Sequence, residues 1–392
     1  MIKRDLAEKL KAMAGKFPVI ALLGPRQSGK TTLARATFSR YNYVSLEDLD
    51  VRRLAISDPR EFLNLHKNEH GTILDEIQHA PDLLSYIQTE VDKTQKTGSF
   101  VLTGSQNFLF NETISQTLAG RISILTLLPL SMSELQQENL LPENINDIIF
   151  QGSYPRLYDK NIAPADWYPN YVHTYIERDV RQIKNITDLS VFQLFMKLCA
   201  GRIGQLLNMS SLANDCGISV GTAQSWLSLL QASYIIILLQ PHFKNFSKRL
   251  VKTPKLYFYD TGLASFLLEL DNPKQLSTHY LRGGLFESYI ISELIKLRYN
   301  VGRVPHYYFW RDNVGREIDC VIDHGGKSFP VEIKSGQTIN QDYFEGLYYW
   351  SELAGDQAGR SYCIYTGFES QNRTRVSVLK WQDLSKINEV FE

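Results

Sequence analysis

The stretch Gly24-Pro25-Arg26-Gln27-Ser28-Gly29-Lys30-Thr31 places four residues between two glycines and follows them with Lys and Thr. This is the pattern of a phosphate-binding loop. The apolar run Val19-Ile20-Ala21-Leu22-Leu23 before it suits a buried parallel strand, and Thr32-Leu33-Ala34-Arg35-Ala36 after it suits the first turns of a helix. Between strand and helix, the glycines let backbone N–H groups curl round a triphosphate, and the helix N-terminus adds its dipole. Lys30 is expected to pair with the β- and γ-phosphates and Thr31 to hold Mg²⁺, with Thr32 continuing the cradle.

Working outward, Gly71-Thr72-Ile73-Leu74-Asp75-Glu76 is a second apolar strand that delivers two carboxylates at its end. Downstream of a phosphate loop, the first acid holds Mg²⁺ and the second polarises the attacking water, so Asp75 and Glu76 take those roles. A third strand, Phe100-Val101-Leu102-Thr103, ends in Gly104-Ser105-Gln106-Asn107. Ser105 or Asn107 is placed there to sense the γ-phosphate, the alternative being a polar strand-to-helix turn. Arg121, in Leu118-Ala119-Gly120-Arg121-Ile122, either reaches a neighbouring subunit's γ-phosphate as an arginine finger or is salt-bridged on the surface. Tyr43 to Leu46 reads as a further strand, Leu6 to Met13 as an amphipathic helix, and Asp58-Pro59 as a helix start.

At 392 residues the chain is long for one core, so two or three domains are expected. Its composition, 43% hydrophobic and 21% charged, is that of an ordinary soluble protein, and no apolar run nears the roughly 20 residues of a membrane-spanning helix. The N-terminus reads as neither signal peptide nor anchor, which makes the cytoplasm the expected compartment. Four scattered cysteines without a CxxC pair argue against disulfides and zinc. Net charge is zero, yet Tyr171 to Lys255 carries ten Lys or Arg against four Asp or Glu. A basic middle in a neutral chain suggests a polyanion-binding face, a solvated charged face being the blander reading.

The segments GPRQSGKT, TILDEIQ, LTGSQN, LAGRI and LPLSMSE (Leu128 to Glu134) resemble those of bacterial and archaeal AAA+-type ATPases joined to a nuclease-like C-terminal domain of unassigned function. FQGSYPR (Phe150 to Arg156), YIERDV (Tyr175 to Val180) and KLYFYDTGL (Lys255 to Leu263) extend the resemblance over nearly the whole chain. It implies an α/β fold with a P-loop parallel sheet and helical lid, ATP and Mg²⁺ as cofactors, and a homo-oligomer.

Trp167 to Ile186 has helical spacing, its Tyr168, Tyr171, Val172, Tyr175 and Ile176 stripe being core. Ser190 to Leu239 has winged-helix grammar: a helix through Phe192, Phe195 and Leu198, a short helix, a turn at Gly217, and a second helix capped by Ser219. Ile235 to Leu239 and Lys255 to Tyr259 are the wing strands, with Lys244, Lys248, Arg249 and Lys252 between them. Such a wing tracks phosphate, and the exposed Thr222, Gln224 and Ser225 of the second helix add no positive charge. Nucleic acid is therefore the expected partner, DNA ahead of RNA, with no membrane.

Towards the C-terminus, a long helix from Arg282 to Leu297 precedes strands at Tyr307–Arg311, Glu317–Ile322 and Pro330–Lys334, the last two joined by a hairpin at Asp323-His324-Gly325-Gly326. Glu332 and Lys334 share a face, and Asp319 on the paired strand joins them. Two carboxylates there suit Mg²⁺, while Lys334 suits orienting water or offsetting phosphate charge. Asp319, twelve residues, then Glu332-Ile333-Lys334, with Glu287 on the preceding helix, resembles the PD-(D/E)XK nuclease fold with Ile318 in place of proline. The expected divisions are 1–135 for the ATPase core, 136–190 for lid and connector, 191–262 for the winged helix and 275–392 for the nuclease-like domain. The expected function is an ATPase coupled to action on nucleic acid, with a non-nucleolytic ATP-dependent switch as the alternative.

Overall fold

In the computed structural model, residues 2–105, 117–176, 188–242 and 252–391 are described. Five strands, β1 (Val19–Gly24), β2 (Asn42–Ser45), β3 (Thr72–Asp75), β4 (Phe100–Ser105) and β5 (Ile122–Thr126), form one parallel sheet in the order β2-β3-β4-β1-β5. Every residue of β1 is buried, as a strand covered on both faces requires. Its period of two sends Val19, Ala21 and Leu23 into one apolar cluster and Ile20 and Leu22 into the other. Helix Leu83–Thr94 and Phe62 fill the first face, and helices Leu6–Ala14 and Lys30–Thr37 the second. The expected Asp58 cap is present, its side chain accepting from Glu61 N at 3.1 Å.

A second, small sheet has the order β6-β8-β7, from β6 (Gln205–Leu206), β7 (Ile236–Leu239) and β8 (Lys255–Phe258), all antiparallel. Three helices, Leu189–Ala200, Met209–Asp215 and Val220–Ala232, accompany it. Trp226 of the last packs edge-on against Phe192 and Phe195 of the first, with ring centroids 5.1 and 5.3 Å apart. The Ser219 side chain caps as expected, accepting from Thr222 N at 3.0 Å, and Gly217 turns with φ +67°. β6, only two residues long, carries no periodic signal and is not legible in the sequence. The Trp167 to Ile186 stripe is a Pro164–Tyr171 helix followed by a wider turn over Val172–Ile176, with Tyr168, Tyr171 and Val172 buried; its remainder lies outside the described residues.

The third sheet runs β13-β14-β12-β11-β10-β9, with β9 (Tyr307–Arg311), β10 (Glu317–His324), β11 (Lys327–Lys334), β12 (Ser361–Tyr365), β13 (Gln371–Asn372) and β14 (Val376–Lys380). β9, β10 and β11 pair antiparallel through the expected hairpin, and β11, β12 and β14 pair parallel. The sheet thus continues three strands, β12, β14 and β13, past the hairpin strands. Helix Arg282–Asn300 lies beneath it and helix Asp342–Ala354 packs on the opposite side. One apolar cluster runs from Leu128 through the small sheet to Val390, so the middle and C-terminal parts share a core. The four cysteines are free and buried, and among the described residues no helix is long and apolar enough to cross a membrane.

Candidate functional site: the phosphate loop and a second acid cluster

β1 ends in Gly24, whose φ of +152° and contact with the Leu127 carbonyl, 2.1 Å from where a Cβ would sit, admit only glycine. Gly29, φ +94°, starts the Lys30–Thr37 helix, which sets the positive end of that helix's dipole at the loop. Lys30 Nζ donates to the Gly24 and Pro25 carbonyls at 3.1 and 2.8 Å, folding the loop over its own ammonium. Thr31 Oγ1 donates to the two Asp75 oxygens at 2.9 and 3.0 Å. Tyr43 OH donates to Asp75 at 2.8 Å, and Thr103 Oγ1 from β4 closes on it as well. Burial and the Asp75 hydrogen bond push the Tyr43 phenol well above its ordinary range, so it remains a donor. Three hydroxyls thus hold one buried carboxylate at the strand end, and hard oxygen donors of this kind fit Mg²⁺.

Glu76 follows in a left-handed conformation, φ +56°, uncommon for a non-glycine residue, and pairs with the Gln78 amide. It lines the same cleft as Arg26, Gln27, Lys30, Thr31 and Thr32, a space of about 830 Å³ whose lining carries more cationic than anionic side chains. Glu47, just past β2, lines it too, and so does Arg156 from the Pro155–Asp159 helix, an exposed cation in the FQGSYPR segment. Ser28 is fully buried inside the loop, its hydroxyl without a hydrogen-bond partner among the described residues.

Arg121 stands elsewhere. Its carbonyl accepts from Val19 N, which fixes it at the start of β1, roughly 16 Å of strand away from Gly24. Its guanidinium grips Asp92, at 2.5 and 2.9 Å, and so it does not face the cleft of its own chain. The Ser105 side chain and Asn107 lie outside the described residues, as do Lys244, Lys248 and Arg249. Thr103, two residues before Ser105 on the same strand face, is the β4 side chain that reaches Asp75, and period two is the signal that would have found it.

The acids near the C-terminus also meet, with two members the sequence reading omits. Carboxylate oxygens of Glu287, Glu317 and Asp319 lie within 4.8 Å of one another. Lys255, from β8 of the small sheet and only 3% exposed, places Nζ 2.8 Å from Glu287, against Glu317, and 3.8 Å from Asp319. The expected basic wing therefore sends one of its five cations into the acids, while Lys197 pairs with Glu269 and Arg202 with Asp215. Asp319 Oδ2 accepts from Ile333 N at 2.8 Å, and Lys334 contacts Glu332 with Asp319 4.0 Å away. Tyr257 OH donates to Glu287. Burial, then the Asp319 charge, pushes the Glu287 and Glu332 carboxyls up. Burial alone would lower Lys255 and Lys334, but the surrounding carboxylates more than offset it, and both stay charged.

The two sites are joined by polar contacts. Buried Arg4 donates to Ser28 O of the loop and Leu128 O, both at 2.7 Å, and pairs with fully buried Glu134 at 3.0 Å. Glu134 and Ser131 cap the Met132–Gln137 helix reciprocally. Next to them, Met132 N donates to Glu293 at 2.7 Å and Leu130 O accepts from Lys296 at 2.9 Å. Lys296 also holds Glu293 at 2.7 Å and Ser153 Oγ at 3.0 Å. Glu293 and Lys296 sit on the Arg282–Asn300 helix, which carries Glu287 six residues earlier.

Residues 16–136 match the family model described as an AAA domain, and this segment is an AAA-type P-loop ATPase domain. Residues 142–274 and 282–384 match two models, each described only as a domain of unknown function. Uncharacterized proteins of Mycobacterium bovis and Mycobacterium tuberculosis are each 29% identical over 346 residues, which is 86% of this chain and 74% of theirs. Among solved structures, the Walker-type ATPase of Pyrococcus abyssi is 16% identical, with 68% of this chain and 96% of that one covered and a TM-score of 0.46. The RuvB Holliday junction branch migration motor of Thermotoga maritima is 19% identical, with 59% and 87% covered and a TM-score of 0.29.

Proposed function

We infer that the protein binds and hydrolyses ATP at Gly24 to Thr32 and uses the nucleotide state to control a nuclease-like site acting on nucleic acid. Lys30 and the loop N–H groups bind phosphate, Thr31 and Asp75 would hold Mg²⁺, which offsets phosphate charge when bound, and Glu76 orients the attacking water. Arg156, which lines the same cleft, is a further cation available to the bound phosphates. The observation that carries the coupling is that one helix, Arg282–Asn300, docks on the ATPase segment through Glu293 and Lys296 and bears Glu287 of the acid cluster. Three helices with the β6-β8-β7 sheet support a winged-helix reading of the middle, and the helix before β9-β10-β11 with Asp319, Glu332 and Lys334 supports a PD-(D/E)XK reading of the C-terminus. The arginine-finger role of Arg121 falls on a neighbouring subunit and requires it first to leave Asp92.

Phosphate release and cleavage are to be followed together with ATP, Mg²⁺ and branched, duplex and single-stranded nucleic acids. Lys30→Ala is expected to abolish ATP turnover, and Glu76→Gln to slow it about 10²–10⁴-fold while ATP still binds. Wild-type rates in both would refute the ATPase assignment. No Mg²⁺-dependent cleavage by wild type of any substrate, with Asp319→Ala unchanged in binding, would remove the nuclease half. In that event a non-nucleolytic switch is the second reading, favoured by the exposed surface of Val220–Ala232, which carries no Lys or Arg. Tight nucleic-acid binding with a steep salt dependence would count against that switch.

A further inference from the structure

We propose that Lys255 is a built-in cation standing where the Glu287, Glu317 and Asp319 carboxylates would otherwise take a divalent metal of the Mg²⁺ and Mn²⁺ class. The proposal rests on the nuclease-like reading of that cluster and assigns its regulation. Three carboxylates with oxygens within 4.8 Å of one another need close only slightly to reach the separation of at most about 4.4 Å between opposite ligands of a six-coordinate ion at about 2.0–2.2 Å per bond. The ammonium of Lys255 contacts two of these carboxylates and lies 3.8 Å from the third, so it and a metal compete for the same oxygens.

The cation is delivered from outside the sheet that carries the acids. Glu317 and Asp319 lie on β10 and Glu287 on the helix beneath, whereas Lys255 opens β8 of the small sheet. The two bodies meet through glycines at a tight approach: a Cβ on Gly284 would stand 2.5 Å from Ile203 O, and one on Gly204 would stand 2.8 Å from the Gly284 Cα. Lys255 is thus held against the acids across a close-packed seam, with Tyr257 of the same strand also bonded to Glu287. A further observation points to an unfilled capacity for cations. Glu332 is 8% exposed, stands beside Asp319 and Glu287, and its Oε2 has no hydrogen-bond partner among the described residues. A lysine has three N–H donors on one side of a flexible stem, whereas a metal draws oxygens from every side.

The test is Mn²⁺ binding to the nucleotide-free full chain, read by the loss of the free-ion paramagnetic resonance signal. Wild type, Lys255→Arg, Lys255→Met and Lys255→Met/Asp319→Asn are compared. Lys255→Met is expected to take one Mn²⁺ at least about tenfold more tightly than wild type or Lys255→Arg, and Asp319→Asn is expected to abolish the gain. Its melting midpoint should rise with Mn²⁺ while that of wild type does not. Should Lys255→Met fail to fold without metal, refolding with Mn²⁺ decides the matter: recovery supports the proposal, and no recovery overturns it. Equal, Asp319-dependent Mn²⁺ binding by wild type and Lys255→Met would overturn the guarding role and leave the metal-site reading standing. Binding by neither would overturn both.

Discussion

Asp75 shows what a single carboxylate needs at the end of a parallel strand. Buried and bonded by Thr31, Tyr43 and Thr103, it is held by donors from three other segments. The sequence made Asp75, Glu76, Lys30 and Thr31 legible because each motif is local and chemically distinctive. Tyr43 was not, since it belongs to no motif and meets Asp75 only when strands pair, whereas Thr103, in LTGSQN and on the Ser105 face of β4, was within reach of strand period two. Glu317 was within reach: two residues before Asp319, it shares that face of β10. Lys255 was not, because no local pattern says that a wing cation turns inward. Arg4 is a similar case, a charged residue near the N-terminus that ends up buried against Glu134. Arg4→Ala strands Glu134 as a buried charge and frees the Ser28 carbonyl. It is expected to cost about 3–5 kcal/mol in denaturant unfolding and to weaken ATP binding.

The Arg282–Asn300 helix shows where periodicity stops being informative. Its amphipathic pattern predicts a long helix from Arg282, and the structure has one of 19 residues. The pattern does not reveal that Glu293 and Lys296 are both buried, because charged residues read as the solvated face. Their burial is possible only because the Leu130 carbonyl, Met132 N–H and Ser153 hydroxyl satisfy them. Lys296→Met leaves Glu293 without its counter-charge, and a loss of about 3–5 kcal/mol in unfolding free energy is expected from denaturant titration. The glycine at the helix start makes a different prediction. Gly284→Ala drives a methyl into the Ile203 carbonyl, so it should destabilise by about 1–3 kcal/mol and shift the small sheet off the helix, which solvent exposure of Tyr257 will report.

For the molecule as a whole, the AAA-type sheet was readable because its strands are short apolar runs punctuated by chemistry. The C-terminal strands β9 to β11 were readable, the last two from hairpin grammar. β13 and β14 were not, and neither was the continuity of the core from Leu128 to Val390, which long-range packing creates. That continuity means the end of the ATPase segment, the small sheet and the C-terminal sheet share packing, with the Arg282–Asn300 helix as the common element. The most direct test is amide hydrogen exchange along that helix and β8, with and without ATP and Mg²⁺, in wild type and Lys30→Ala. ATP is expected to change exchange between Glu287 and Lys296 in wild type and leave Lys30→Ala unaltered. Unchanged exchange there in wild type, with ATP demonstrably bound, would contradict the coupling of the two sites.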